Sequence, residues 1–498
     1  EYELGEADAL LGLGATSIAA RDLEQGLAQT QRALELYGVE QNARGQAEAN
    51  ATLGDLHLQR AQLVQAITVL ERAQRTFRSL RERVGTARTT ARLGEAQLRR
   101  SSLRKAEEQF KDARTMAQEM ANPLAEASAE LGLGEIARIR GNTAQADELY
   151  RAAASRFAHA GSFAGQGGAL LGQARLALVA AHYDEARALL GEAEGKLQVG
   201  RVTAAPAWIA LVRGEIAMDL NQPAVAAQQL ATAERSGTEA GDLTATADAL
   251  LAQAELALRS DHLDDAVALF NRAQDQFRAG EDRVGEGLAT VGRGRVLIER
   301  ELWEEGITAI EEMIPRFRET EQRGAQALAT LAIAQGRRGR LEFDLAARGF
   351  AEAHDLARDT GYRWLQAQAQ HGTARIALDN DDFAQALPAF DVALRLVGDI
   401  AGHIADRDER GGYLESEVPL FAEATYIAIR NGQPERAAEI VRGFTTEANR
   451  AGKAALAEAL KQFEDALNTL AKESDDKAVA TAYKEQAKRV SEARKLAR

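Results

Sequence analysis

Apolar and polar positions along this chain alternate with a helical period. In residues 52–77, TLGDLHLQRAQLVQAITVLERAQRTF, Leu63, Ala66, Leu70 and Ala73 follow one another at steps of three and four, which places them on one face of a helix. Gly54 lies twelve residues before Ala66 and belongs to a preceding helix. The pattern predicts two amphipathic helices joined by a short turn, and it recurs every 40 residues. One column of small residues runs Gly26, Ala66, Ala106, Ala146 and onward to Ala386; a second runs seven positions later, from Ala33 to Ala393; a third runs twelve positions earlier, from Gly14 to Ala374. Small side chains at these three places let two helix backbones approach closely. Between the last two small positions stands a bulky residue, among them Leu70, Phe110, Tyr150, Leu190, Phe270, Ile310 and Phe390, which is placed to fill the space between units.

One helix pair cannot bury its apolar face alone, whereas a stack of pairs buries a continuous core. The expected fold is therefore all-α: a right-handed superhelical solenoid of antiparallel helix pairs, with turns at places such as Gly141-Asn142, Asn221-Gln222-Pro223 and Asp379-Asn380-Asp381. The organisation expected is ten units over 1–396, an out-of-phase helix pair over 397–450 after a longer link, and a helical hairpin over 451–498. The phase breaks after Ala386, because the next match, Ala437, lies 51 residues on, with the polar segment 398–416 between. Lysine usage changes near Ala451: Lys105, Lys111 and Lys196 precede it and seven lysines follow. Ser474-Asp475-Asp476 is the expected cap between the two hairpin helices. Units of such a stack contact only their neighbours, so a chain ended at Arg450 is expected to keep its solenoid.

The small and bulky columns resemble the tetratricopeptide repeat over about residues 1–396. Leu53-Gly54, Leu93-Gly94 and Leu133-Gly134 match that family's Leu-Gly pair, although its usual period is shorter, and Gln173, Arg213, Gln253 and Arg293 stand where the leucine is usual. The resemblance implies a scaffold that takes a protein or peptide in its concave groove. The C-terminal end resembles the region preceding a CHAT domain, a caspase- and separase-like peptidase module of bacterial proteins. Arg410, Tyr413, Leu414, Tyr426, Asn431-Gly432, Glu435, Ala437-Ala438 and Glu447-Ala448-Asn449-Arg450 carry that resemblance. It implies a regulatory arm whose peptidase, with its His-Cys dyad, would lie beyond Arg498. The absence of an initiator Met before Glu1 is likewise what an excised piece would show.

Composition narrows the function further. Among 498 residues, Lys and Arg total 61 and Asp and Glu 75, a formal charge of −14, which disfavours the basic surface that nucleic acid requires. No apolar run reaches membrane-spanning length, so no membrane contact and a cytoplasmic location are expected. With no cysteine there is no thiolate ligand or cysteine nucleophile. The seven histidines make no zinc-binding pair on one helix, and Asp379-Asn380-Asp381-Asp382 lacks the glycine and distal glutamate of a calcium loop. Glycine-rich Gly285–Gly294 reads as helix packing, and Gly165-Gln166-Gly167-Gly168 as a loop between units. Arg337-Arg338-Gly339-Arg340 reads as local ion pairing. No catalytic, metal or cofactor residue is expected, and the segment is not expected to be an enzyme.

The expected site is the groove lined by the first helix of each unit. One residue after the small column stand Asp55, Glu95, Glu135, Arg175, Glu215, Glu255, Arg295 and Arg375, acidic toward the N-terminus and more basic toward the C-terminus. The row four residues earlier is mostly apolar and holds no lysine, and the column itself holds no asparagine, which argues against a carboxylate clamp built on Lys and Asn. Three settings fit such a scaffold: a regulatory arm on a CHAT peptidase, the sensor region of a signal-transduction ATPase or transcription regulator, or a stand-alone peptide receptor or adaptor.

Overall fold

The computed structural model describes residues 2–474 and 476–497, so Asp475 of the expected hairpin cap lies outside the described residues. Among the described residues the chain is helical and without strand. It is an all-α solenoid of stacked antiparallel helix pairs. Unit one pairs Tyr2–Ala19 with Leu23–Val39, unit two pairs Ala43–Gln59 with Leu63–Ser79, and the same pattern runs to unit ten, Arg363–Asp379 with Phe383–Gly402.

Most of these helices are 17 residues long, and the turns between them share one geometry. A residue with positive φ recurs every 20 residues from Arg21 to Asp381. Turns within a unit and turns between units are thus built alike. Gly141, Gly161, Gly241 and Gly361 take the left-handed conformation freely, whereas residues such as Gln41 and Leu341 adopt it at about 1 kcal/mol each. Most helices that open new units are capped: Asn42, Asn122, Asp242 and Asp282 each accept the backbone N–H three residues on, at 2.9, 3.1, 3.0 and 3.0 Å. The second helix of unit eight is broken into Trp303–Glu311 and Ile314–Glu319. Met313 replaces the small residue there, and Pro315 has no N–H to continue the ladder.

The small columns pack as a helix crossing requires. Gly54, Gly94, Gly134, Gly214 and Gly294 lie under Leu70, Phe110, Tyr150, Leu230 and Ile310 of their own units. Each bulky side chain also reaches the first helix of the next unit. Phe110 covers Gly132, Tyr150 covers Gly172, Phe270 covers Gly292 and Phe350 covers Gly372. Seven residues further on, Phe157 covers Gly165 and Phe277 covers Gly285, as Tyr37 covers Gly45 and Phe77 covers Gly85. All four glycines at 285, 287, 292 and 294 are explained by this packing, against Phe277, Phe317, Phe270 and Ile310. The segment 165–168 is a correction to the sequence reading: it lies within the helix Phe163–Val179 rather than in a loop, because Gly165 and Gly167 are needed under Phe157 and Leu197.

The solenoid winds back onto itself. Turns within units one to five touch the turns that follow units six to ten, at separations of 217 to 222 residues. Arg21 donates to the carbonyl of Ala240, and the Val64 N–H donates to Glu281 at 3.1 Å. Arg104 and Arg140 converge on Glu321 at 3.0 and 2.6 Å. Arg187 makes a two-pronged pair with Glu409, both bonds 2.8 Å, and the rings of His182 and His403 stack 4.6 Å apart. One superhelical turn therefore takes about five and a half units, and contact is not confined to neighbours.

The C-terminal end shares that contact. One apolar core joins residues 170–220 to residues 367–497. The segment 398–416 is largely helical: Phe383–Gly402 runs on into it and Arg407–Ser416 forms a short helix. Val418–Arg430 and Pro434–Glu447 follow as a further pair, and the hairpin of Arg450–Glu473 and Lys477–Ala497 packs on them through Leu456, Leu460, Leu467 and Val490. Removing everything after Arg450 would uncover part of this core.

Candidate functional site: the lumen of the superhelix

Winding at this pitch turns the concave groove into a lumen. Its central cavity, about 640 Å³, is lined by the first helices of units three to ten. Glu135, Arg175, Glu215, Glu255 and Arg295 of the expected column line it. Asp55 and Glu95 line a smaller space of about 430 Å³ toward the N-terminus, where Arg92 bridges them at 2.9 and 2.8 Å. Arg375 stands apart from both, 3.3 Å from Glu423, which also holds His371 at 2.8 Å.

Pairing largely cancels the charge gradient suggested by the column. Glu135 accepts from Arg138 and from the Tyr150 hydroxyl at 2.7 Å. Burial works to raise its pKa, and the Arg138 guanidinium overrides that, bringing it down to about 2. Glu255 lies between Arg259 at 3.3 Å and Arg295 at 2.5 Å. Burial again opposes and the two guanidinium groups win, with a pKa of about 2. Arg259 also reaches Asp219, at 3.2 Å, and lies over the Trp364 ring.

Three lumen carboxylates have no cation in contact among the described residues, and one of them, Asp282, is hydrogen-bonded as a helix cap. Glu215, from the column, and Asp248, on the neighbouring helix Leu243–Arg259, face the cavity without a hydrogen-bonded partner. Desolvation by the walls pushes Glu215 up to about 7 and Asp248 up to about 8, against the pull of Arg175. Arg175 itself lies over the Trp208 ring, 4.7 Å from its centre. Asp248 was absent from the sequence reading because it stands seven residues before Glu255, off the column. A signal existed: in the 40-residue register it aligns with Trp208.

The other sequence motifs have structural roles. Arg337 pairs with Glu311 at 2.7 Å, Arg338 with Asp379 at 2.6 Å, and Arg340 with Glu304 and Glu342. Asp382 caps its helix, accepting from the Gln385 N–H at 3.1 Å. Of the residues that carry the CHAT resemblance, Arg410 pairs with Glu447 at 2.6 Å, and Tyr413 and Leu414 are buried in the C-terminal core. No helix among the described residues is long and apolar enough to cross a membrane.

The architecture defines a helical-repeat protein, a solenoid of antiparallel helix pairs. No protein-family profile matches the chain, and no curated protein matches it. Solved structures similar to it include the APC/C heterotetramer Cut9–Hcn1, with 13% identity, 97% of this chain and 96% of that chain covered, and a TM-score of 0.49. The apo form of RapI shows 12% identity, coverage of 74% and 97%, and a TM-score of 0.41. A Rap protein complexed with competence and sporulation factor shows 13% identity, coverage of 67% and 99%, and a TM-score of 0.45.

Proposed function

We propose that this chain is a non-catalytic scaffold that binds an extended protein or peptide segment in its lumen, with a lysine or arginine side chain of that segment seated between Glu215 and Asp248. The observation that carries this reading is the pair of carboxylates left without cation or hydrogen bond in a lumen where the other acids are ion-paired or hydrogen-bonded. A bound cation restores both to their charged form, and the low polarity of the walls strengthens the attraction. Trp208 and Trp364 supply flat apolar walls beside them. The test uses tryptophan fluorescence with short extended peptides containing one lysine and their acetyl-lysine counterparts. Saturable quenching by the lysine peptide, absent with the acetylated one and lost in Glu215→Gln with Asp248→Asn, is expected. Equal binding of the acetylated peptide would overturn the reading.

Within this proposal the chain serves as the regulatory arm of a larger bacterial protein such as a tetratricopeptide–CHAT peptidase. Its support is the C-terminal sequence pattern around Arg410, Tyr413 and Glu447-Ala448-Asn449-Arg450. Sequencing the reading frame past Arg498 tests it: a module carrying a His and a Cys is expected, and a stop codon there would refute it.

A further inference from the structure

Five arginines line the central cavity: Arg99, Arg138, Arg175, Arg259 and Arg295. Four of them spend N–H groups on the protein. Arg138 pairs with Glu135, Arg259 with Asp219 and Glu255, Arg295 with Glu255, and Arg99 donates to the carbonyl of Leu58 at 2.6 Å. Arg175 makes neither an ion pair nor a hydrogen bond among the described residues. Its guanidinium lies over the Trp208 ring, and that indole is fixed by its own bond to Asp242 at 3.2 Å. Contact through a ring face uses the charge of an arginine and none of its N–H donors.

The repeat supplies an internal comparison. Arg295 stands 40 residues after Glu255, and the two pair at 2.5 Å across the step between units seven and eight. Arg175 stands 40 residues after Glu135, across the step between units four and five, and that pair is not made. Two residue differences account for it. Tyr150 stands where unit seven has Phe270, and its hydroxyl takes one oxygen of Glu135 at 2.7 Å while Arg138 takes the other at 2.5 Å. Trp208 stands where unit nine has Leu328, and it supplies the plate on which Arg175 rests. The guanidinium is thereby held in the lumen with its donors unspent. It touches neither Glu215 nor Asp248, yet it lies close enough for its charge to act on both, and they stand on the next two first helices of the stack.

We propose that Arg175 seats a carboxylate side chain of the bound segment, so that the lumen selects a segment carrying an Asp or Glu two residues from its lysine or arginine. The inference rests on the seating of that basic side chain between Glu215 and Asp248. Alternate residues of an extended segment point to one face and stand about 7 Å apart, so a basic and an acidic side chain at that spacing can reach neighbouring seats together. A carboxylate matches the fork of a guanidinium with two parallel bonds. A phosphate dianion fits less well, because Glu135, Glu215 and Asp248 lie within the field of the same arginine and repel the second charge.

The experiment titrates the full chain by calorimetry with the peptide acetyl-Ser-Glu-Thr-Lys-Thr-Glu-Ser-amide, whose blocked ends carry no charge and whose two glutamates cover both chain directions. A second peptide has glutamine in place of both glutamates, and a third is the first with acetyl-lysine. The glutamate peptide is expected to bind about tenfold tighter than the glutamine peptide. Arg175→Gln should bind the two alike. Trp208→Leu copies the step at Leu328, lets Arg175 swing to Glu135, and should shrink the preference as well. Equal affinity for the glutamate and glutamine peptides, with the acetyl-lysine peptide bound more weakly than either, would overturn this inference and leave the lysine seat standing. Equal binding of the acetyl-lysine peptide would overturn the lysine seat itself. A preference for glutamate that survives both variants would take the carboxylate away from Arg175 and overturn the assignment.

Discussion

The contact between Phe270 and Gly292 is the sharpest place to test the packing logic of the stack. A Cβ on Gly292 would overlap the Phe270 ring, so Gly292→Ala forces the ring or the next helix to move. Such overpacking costs about 1–3 kcal/mol. The better helix propensity of alanine offsets up to about 1 kcal/mol of that, leaving a net loss of about 1–2 kcal/mol. Phe270→Leu alone leaves a gap over the glycine, with an expected cost of about 1–2 kcal/mol. The two changes together copy pairs the chain already uses, Leu230 with Ala252 and Ile310 with Ala332 at the same register. The double variant should therefore lose about 1 kcal/mol or less, a coupling of about 2 kcal/mol in favour of the pair. The assay is hydrogen exchange of amides in Leu263–Ala279 and Arg283–Glu299, because a long repeat array opens piecewise and one global midpoint averages over the site. Losses that add within about 0.5 kcal/mol would refute the claim that ring and glycine are a matched pair.

Three further outcomes are expected. Gly141→Ala and Gly161→Ala both place a side chain on a left-handed residue, but only the first would press on Thr360 of the next superhelical turn, so it should cost about 1–3 kcal/mol more by chemical denaturation. Asp248 binds its proton more tightly folded than unfolded, so it removes stability as pH rises from the ordinary carboxylate range toward 8; the melting temperature of Asp248→Asn should match the parent near pH 4 and exceed it increasingly up to about pH 8. A chain ended at Arg450 should show faster hydrogen exchange across Val418–Arg430 and Pro434–Glu447, whose apolar faces the hairpin covers, while Leu63–Ser79 keeps its protection.

The helix pairs were legible because small residues at three fixed places in each 40-residue unit leave few other ways to pack. The common 20-residue turn was harder to see. Its left-handed position is filled by residues as different as Arg21, Ala61 and Leu341, and only the glycines at 141, 161, 241 and 361 mark the grid. The exchange of ring for glycine between neighbours was present in the sequence, but it shows only when one unit is compared with the next, as with Phe157 and Gly165. The seams between superhelical turns could not be read at all, since they depend on small rotations summed over five units. For the site, the column from Asp55 to Arg295 picked out residues that line the lumen, while Arg375 does not. It did not show that Arg92, Arg138 and Arg259, three or four positions away or one unit on, neutralise most of them, and so it missed that the uncompensated charge gathers at Glu215 and Asp248.

Over units one to four, successive turns of this solenoid rest on each other through polar contacts, such as Arg21 with Ala240 and Arg104 with Glu321, while an apolar core joins the turns at the C-terminal end. In mechanical terms this is a coil spring wound closed. It resists compression, because its turns already touch, and its N-terminal seam yields to tension first, because solvent-accessible polar contacts of this kind are worth about 1 kcal/mol or less each. Pulling on its ends should therefore lengthen it reversibly, seam by seam, before any helix melts. A closed coil also admits a threaded chain only through its two mouths, while a stretched one can take it from the side.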